Sequence, residues 1–270
     1  MTNSTEHRTV QRYADDSSLP TSQRAPAQWS VRNASLTAGI ALLLMSVVAI
    51  FGNVVVVDGL TTQGDAAATA GDITASAGMF RLGIVSLIVV IALDVVIAWA
   101  LYRVFSPVNA SLSMLAAIMR LVYTAVFMVA IGELVGVVRL LSDEGNRAVL
   151  GTEQVQVMAM QGMTSFNDIW YVGQFLFGLT LLLLGYLAFR SGYIPRVLGV
   201  LLLISGLGYA TDSFGAVLSE GPWTDITTFT FLGEFLLALW LVIRAGSVAA
   251  GAAELEATPA PRRDTEPTID

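Results

Sequence analysis

Residues 82–105 read LGIVSLIVVIALDVVIAWALYRVF, 24 positions in which only Asp94 and, near the far end, Arg103 carry charge. At 1.5 Å per residue a helix of that length spans about 36 Å, enough to cross a hydrocarbon layer of roughly 30 Å. Inside lipid no water is present to satisfy backbone N–H and C=O groups, so such a run must close its hydrogen bonds within itself as a helix. The run therefore predicts a transmembrane helix, and one membrane helix changes the reading of everything around it.

Five further apolar runs lie at 35–57, 111–138, 165–189, 197–218 and 227–246. Only 13% of the chain is charged and 55% is hydrophobic, whereas an ordinary soluble domain is about a quarter charged. The expectation is an all-α, polytopic transmembrane helix bundle of six helices occupying residues 34–247. The first run is longer than a signal-peptide core and follows a long polar segment, so it is expected to remain in the mature protein. Residues 1–33 and 248–270 are polar, Pro-containing and Ala-, Ser- or Thr-rich, and are expected to be disordered cytoplasmic tails.

The arginines set the expected orientation. With the N-terminus inside, inner segments hold ten arginines and outer segments hold three, Arg81, Arg139 and Arg147. Cytoplasmic loops retain positive charge, so both termini are expected to be cytoplasmic, in a multi-pass protein of a prokaryotic cell membrane.

Several chemistries are excluded by composition. All 14 basic residues are arginine, which removes any lysine Schiff base. Cysteine is absent and His7, in the polar N-terminal segment, is the lone histidine, so thiolate chemistry, histidine-ligated metals and haem have no ligands inside the bundle. No cofactor and no metal centre is expected. The net charge of -7 argues against nucleic acid as a partner, because phosphates must be met by clustered cations. The expected partners are the lipid bilayer and a small solute or ion; oligomeric state is left open.

The run Gly185-Tyr186-Leu187, Arg190-Ser191-Gly192-Tyr193-Ile194-Pro195-Arg196-Val197-Leu198-Gly199 and Gly206-Leu207-Gly208-Tyr209 resembles a bacterial membrane family known as domain of unknown function 4386. Phe80-Arg81-Leu82-Gly83, Asp94, Leu101-Tyr102, Pro107-Val108-Asn109 and Arg120-Leu121-Val122 are similar to the family's second and third helices and the turn between them. The resemblance covers residues 34–244 and implies a multi-helix membrane protein without implying an activity.

Charges at membrane depth cost about 2.5–3.5 kcal/mol each on insertion scales and so need partners or water. The candidates are Asp94, Arg120, Glu133, Asp168, Asp212 and Glu234. Asp94 and Arg120 each lie 13 residues from Pro107, the centre of a tight helical hairpin, so they are expected at equal depth as a buried ion pair. Asp212 and Glu234 each lie 11 residues from Trp223 in the turn Gly221-Pro222-Trp223. By the same rule they lie at one depth: facing each other, two such carboxyls would share a proton, bind a cation or recruit an arginine, and facing different neighbours they would be hydrated and carry no chemistry. Glu133 and Asp168 are expected near the outer surface, with Asn53, Asn167, Tyr171, Gln174 and Tyr209 as polar companions, in an acidic cavity that serves as a proton or cation site. Gly132 with Gly136, Gly206 with Ala210, and Gly178 with Gly185 are expected to mark close helix contacts, within the chain or between copies.

Three functions fit these residues: binding or transport of a proton, cation or cationic solute through an outward acidic cavity, a structural or regulatory subunit, or an intramembrane enzyme using paired carboxylates. The three-plus-three helix arrangement suits a transporter built of inverted halves. Paired carboxylates could serve as acid and base, although no nucleophile or metal motif accompanies them.

Overall fold

The computed structural model describes residues 30–219 and 232–257. It is helical throughout these segments. Helix α1 (Val31–Ala49) continues without a break into a π-helical stretch at Ile50–Val57 and a final turn at Asp58–Leu60. A short helix α2 (Ala66–Ala75) precedes α3 (Ala77–Phe105) and α4 (Ala110–Ser142). Then follow α5 (Glu144–Leu150), α6 (Thr152–Ser191), α7 (Arg196–Leu218), α8 (Leu232–Ile243) and α9 (Ala245–Ala257). Five of these segments, α1 with its extension, α3, α4, α6 and α7, are long and apolar enough to cross a membrane. A sixth is reached if α8 and α9 count as one bent segment.

The connections follow from local chemistry. Pro107, which lacks an N–H, ends the α3 helix, and the Asn109 side chain then accepts from the Leu112 N–H at 3.0 Å to start α4. Gly192 leaves α6 with a left-handed backbone (φ 74°), and Pro195 sets up α7. Both turns lie at one end of the bundle, here the Pro107 end; residues 61–65 and 143–151 lie at the opposite, Asp65 end.

Consecutive long helices pack as neighbours, α1 on α3, α3 on α4, α4 on α6, α6 on α7 and α7 on α8, and α8 returns to α1. The result is a closed ring of six helices. Its outer surface is apolar, with Ile40, Leu82, Val129, Val197 and Leu207 all largely exposed, the pattern of a protein whose solvent is hydrocarbon. Because lipid tails are as apolar as the helices, the ring must be held by close packing and interhelical hydrogen bonds. Both are present. The α6–α7 seam is made by Gly178 against the Gly206 backbone and Gly185 against the Gly199 backbone, where an added Cβ would lie within 2.8 Å of a carbonyl oxygen. On the α1–α8 seam Gly39 faces Ala238 and Val242, and Ser35 Oγ donates to the Leu241 carbonyl at 2.8 Å. At the Pro107 end Tyr193, whose phenol pKa burial pushes up, donates to the Val104 carbonyl at 2.6 Å.

Gly132 and Gly136 behave otherwise. Nothing among the described residues lies within 4 Å of a Cβ built on either, so this GxxxG pair faces away from the described helices. The expected C-terminal tail also needs revision. The chain remains helical from residue 248 to Ala257, because α9 turns by 87° from α8 and packs across the Pro107 end with Val248 and Ala252 buried. Its alanine-rich sequence favours helix, and its small side chains let Gly251 rest on Tyr193. Residues 31–33 likewise belong to α1. The remaining parts of both expected tails, residues 1–29 and 258–270, and the Gly221-Pro222-Trp223 turn lie outside the described residues.

The orientation expected from the arginines gives a direct check. Cysteine introduced at position 65 or 150 of this cysteine-free chain should react with a membrane-impermeant thiol reagent added outside intact cells, and cysteine at 5 or 265 should not. Labelling of 5 or 265 from outside would reverse the orientation.

Candidate functional site

At the centre of the ring lies a cavity of about 240 Å³ to which all six helices contribute. Its charged floor is built by three of them. Arg120 on α4 donates from Nε to Asp94 Oδ1 on α3 at 2.7 Å, and from Nη1 to Glu234 Oε1 on α8 at 3.3 Å. Nη2 also approaches Asp94 Oδ1 at 2.7 Å, but off the N–H axis. That contact adds Coulomb attraction while leaving the Nη2 protons without an acceptor among the described residues. Thr124 Oγ1 lies 3.1 Å from Asp94 Oδ2 and 2.7 Å from the Arg120 carbonyl, bracing the second carboxylate oxygen one turn above. The Phe177 ring from α6 caps the guanidinium at 5.0 Å, a favourable cation–π geometry in a desolvated site.

The two carboxylates are not equivalent. The Asp94 side chain is 3% exposed and holds the short contacts, whereas Glu234 is 15% exposed and holds the long one. Counted as ionised groups, one arginine and two carboxylates leave a single uncompensated negative charge. Glu234, with the longer contact and the greater exposure, is the member that borders open space.

Above this floor the walls are aromatic. Tyr123 lies 4.8 Å from Phe177 and 6.1 Å from Phe127 between ring centroids, and Tyr209 meets Phe177 edge-on at 5.0 Å. The Trp170 indole N–H donates to the Tyr123 hydroxyl at 3.1 Å. Among these rings sit two amide oxygens, Asn53 Oδ1 and Gln174 Oε1, buried and without a hydrogen-bond donor among the described residues. A buried acceptor left unmade costs about 1–3 kcal/mol, so two acceptors at one cavity call for an explanation. Asn53 lies in the π-helical stretch of α1. There the ladder shifts to i→i+5, with the Asp58 N–H bonded to the Asn53 carbonyl, and such widened turns recur at functional sites.

The structure brings together some of the residues singled out by the sequence and separates others. Asp94 and Arg120 meet directly, at the depth equal distance from Pro107 implies. Asp212 and Glu234 do not face each other. Gly233 packs against Leu201 and Ser205 of α7, and Asp212 lies seven residues beyond Ser205, about 10 Å further towards the Asp65 end. Equal distance from Trp223 along the chain therefore does not put the two carboxyls at one depth. Gly233 selects its own close contact, and Glu234 satisfies itself on Arg120, the third of the outcomes open to it. Asp212 is fully buried on α7 away from the cavity lining. Glu133 is half-buried and Asp168 exposed, and neither lines the cavity. Of their expected companions, Asn53, Gln174 and Tyr209 line it, while Asn167 and Tyr171 do not. The involvement of Glu234 with Arg120, and the role of Thr124, were not read from sequence. Thr124 stands one helical turn after Arg120, a spacing that could have signalled it.

A ring of apolar helices enclosing a buried, charged and aromatic chamber defines a multi-pass integral membrane protein with a central polar site. The chain belongs to the family described as domain of unknown function DUF4386, whose model matches residues 37–245. It is similar to an uncharacterized protein of Archaeoglobus fulgidus, 34% identical over 161 residues that make up 60% of this chain and 82% of that one. No solved structure matches.

Proposed function

We propose that this protein binds a small cationic solute at the centre of the ring, as the substrate site of a cell-membrane carrier whose termini are both cytoplasmic. The observation that carries the reading is the charge count at the cavity floor. Arg120 can balance one carboxylate, which leaves Glu234, beside open volume at mid-membrane depth, as the carboxyl that a bound cation would hold ionised. Such a charge is expensive in a low-dielectric surrounding, and a bound monovalent cation removes the cost. A divalent ion would overcompensate, and an anion would have to approach Glu234 to reach Arg120.

The volume supports a small guest. At about 30 Å³ per water, 240 Å³ corresponds to roughly eight waters, and it falls below the range of about 300–1,000 Å³ typical of drug-sized ligands. Groups of Asp, Glu and His arranged to hold a metal ion are absent among the described residues.

The test is thermal unfolding of the purified protein in detergent against a panel of sodium, potassium, ammonium and small organic ammonium chlorides, with sodium salts of varied anions as controls. At least one cation is expected to raise the midpoint, and Glu234→Gln is expected to abolish that rise without lowering the ligand-free midpoint by more than a few degrees. A panel in which no cation stabilises the wild type, or in which Glu234→Gln responds equally, would refute the proposal.

A further inference from the structure

Resting on that reading, we infer that the guest is an organic amine with a flat apolar body and a hydrogen-bond donor at its far end, a phenolic or otherwise hydroxylated monoamine in size. Three features of one cavity ask for three parts of one molecule. Glu234 at the floor supplies a carboxylate for an ammonium. The walls, Phe127, Trp170, Phe177 and Tyr209 among them, supply ring faces and edges to a flat body, and their quadrupoles favour positive charge. The Asn53 and Gln174 oxygens are acceptors to which nothing among the described residues donates, so they call for a ligand donor. They do not sit at the floor. Gln174 precedes Phe177 by three residues on α6, which places it nearly one turn nearer the Asp65 end than the ring capping Arg120. A lone inorganic ion held at Glu234 would leave these acceptors unanswered and the aromatic volume unfilled.

The two amide oxygens also carry a distinctive signature. Because Gln174 makes no hydrogen bond in the free protein through its buried oxygen, an apolar residue of similar length relieves an unsatisfied group. Gln174→Met should therefore leave the ligand-free protein as stable as wild type or more so, yet weaken the guest. A residue that matters only for folding would move stability down and leave affinity alone.

Four probes separate the parts: tyramine, which has all three; 2-phenylethylamine, which lacks the far donor; 4-ethylphenol, which lacks the ammonium; and rubidium chloride. Binding is followed by quenching of tryptophan fluorescence, with the thermal midpoint as a second readout. Tyramine is expected to bind about tenfold or more tightly than 2-phenylethylamine, the scale of one hydrogen bond in a buried site, and 4-ethylphenol more weakly still. Gln174→Met should bring tyramine down to the level of 2-phenylethylamine and leave the latter unchanged, and Glu234→Gln should weaken both amines. Equal binding of the two amines, or an undiminished tyramine affinity in Gln174→Met, overturns the far-donor assignment. Binding of rubidium with no binding of either amine overturns the inference while leaving a cation site standing. Absence of binding by any cation overturns both.

Discussion

Replacing Arg120 with alanine is expected to destabilise the protein by about 3–5 kcal/mol, the cost of leaving a buried charge without its partner, and here two carboxylates are stranded together. Asp94 loses its short contacts and Glu234 loses its contact with Nη1. The loss belongs to the stranded groups more than to the arginine. Arg120→Leu combined with Asp94→Leu should recover part of it, and adding Glu234→Leu should recover most, since apolar residues of similar volume can replace a buried ionic cluster at little cost. Unfolding free energies of the three variants, measured in lipid bicelles, check this. Losses that simply add from single to triple variant would show that the three groups do not act as one cluster.

Gly185→Val is expected to disrupt the bundle on a comparable scale, about 3 kcal/mol or more, at the top of the usual range for overpacking. The reason is what the new atoms would meet. A Cβ at 185 lies 2.8 Å from the Gly199 carbonyl oxygen and 2.9 Å from the Leu203 nitrogen, which are backbone atoms that no rotamer change can move aside. Relief requires α6 and α7 to separate, giving up their packing and opening the wall that carries Phe177 and Tyr209. Gly132→Ala and Gly136→Ala supply the contrast. With open space at both positions, the helix gains up to about 1 kcal/mol per site from alanine's higher propensity. Thermal midpoints of the three single variants decide the matter; a neutral Gly185→Val would mean the α6–α7 seam is not as close as described.

The contrast between these glycines also shows what a sequence can reveal of such a fold. Both sets have the spacing of helix-contact motifs, but spacing does not say which face a glycine occupies, and only the ring assigns Gly178 and Gly185 to a seam and Gly132 and Gly136 to the outside. The helices themselves were legible because lipid imposes long uncharged runs such as residues 82–105. Asp94 with Arg120 was legible because Pro107 makes a short, symmetric hairpin in which distance along the chain measures depth. The same rule misplaced Asp212 and Glu234, since α8 is held by Gly233 at Leu201 and Ser205. Asn53 and Gln174 carry no sequence signal stronger than being amides in apolar surroundings, and their common cavity depends on a π-helical stretch that periodicity does not announce. Glu133 and Asp168 stand outside the lining of the central cavity, and depth along a helix does not say whether a carboxylate near the membrane surface meets water or a site.

The account rests on one uncompensated negative charge at Glu234, and the most direct measurement is the position of a heavy scatterer in crystals of the protein. Crystals grown separately with rubidium chloride, 3-bromotyramine and sodium bromide would be compared by anomalous diffraction. The account predicts a peak inside the central cavity for at least one of the two cations, rubidium beside Glu234 or the ring bromine of 3-bromotyramine further towards Gln174, and none for bromide. A bromide peak beside Arg120, or a cavity without either cation while peaks appear elsewhere on the molecule, would contradict it.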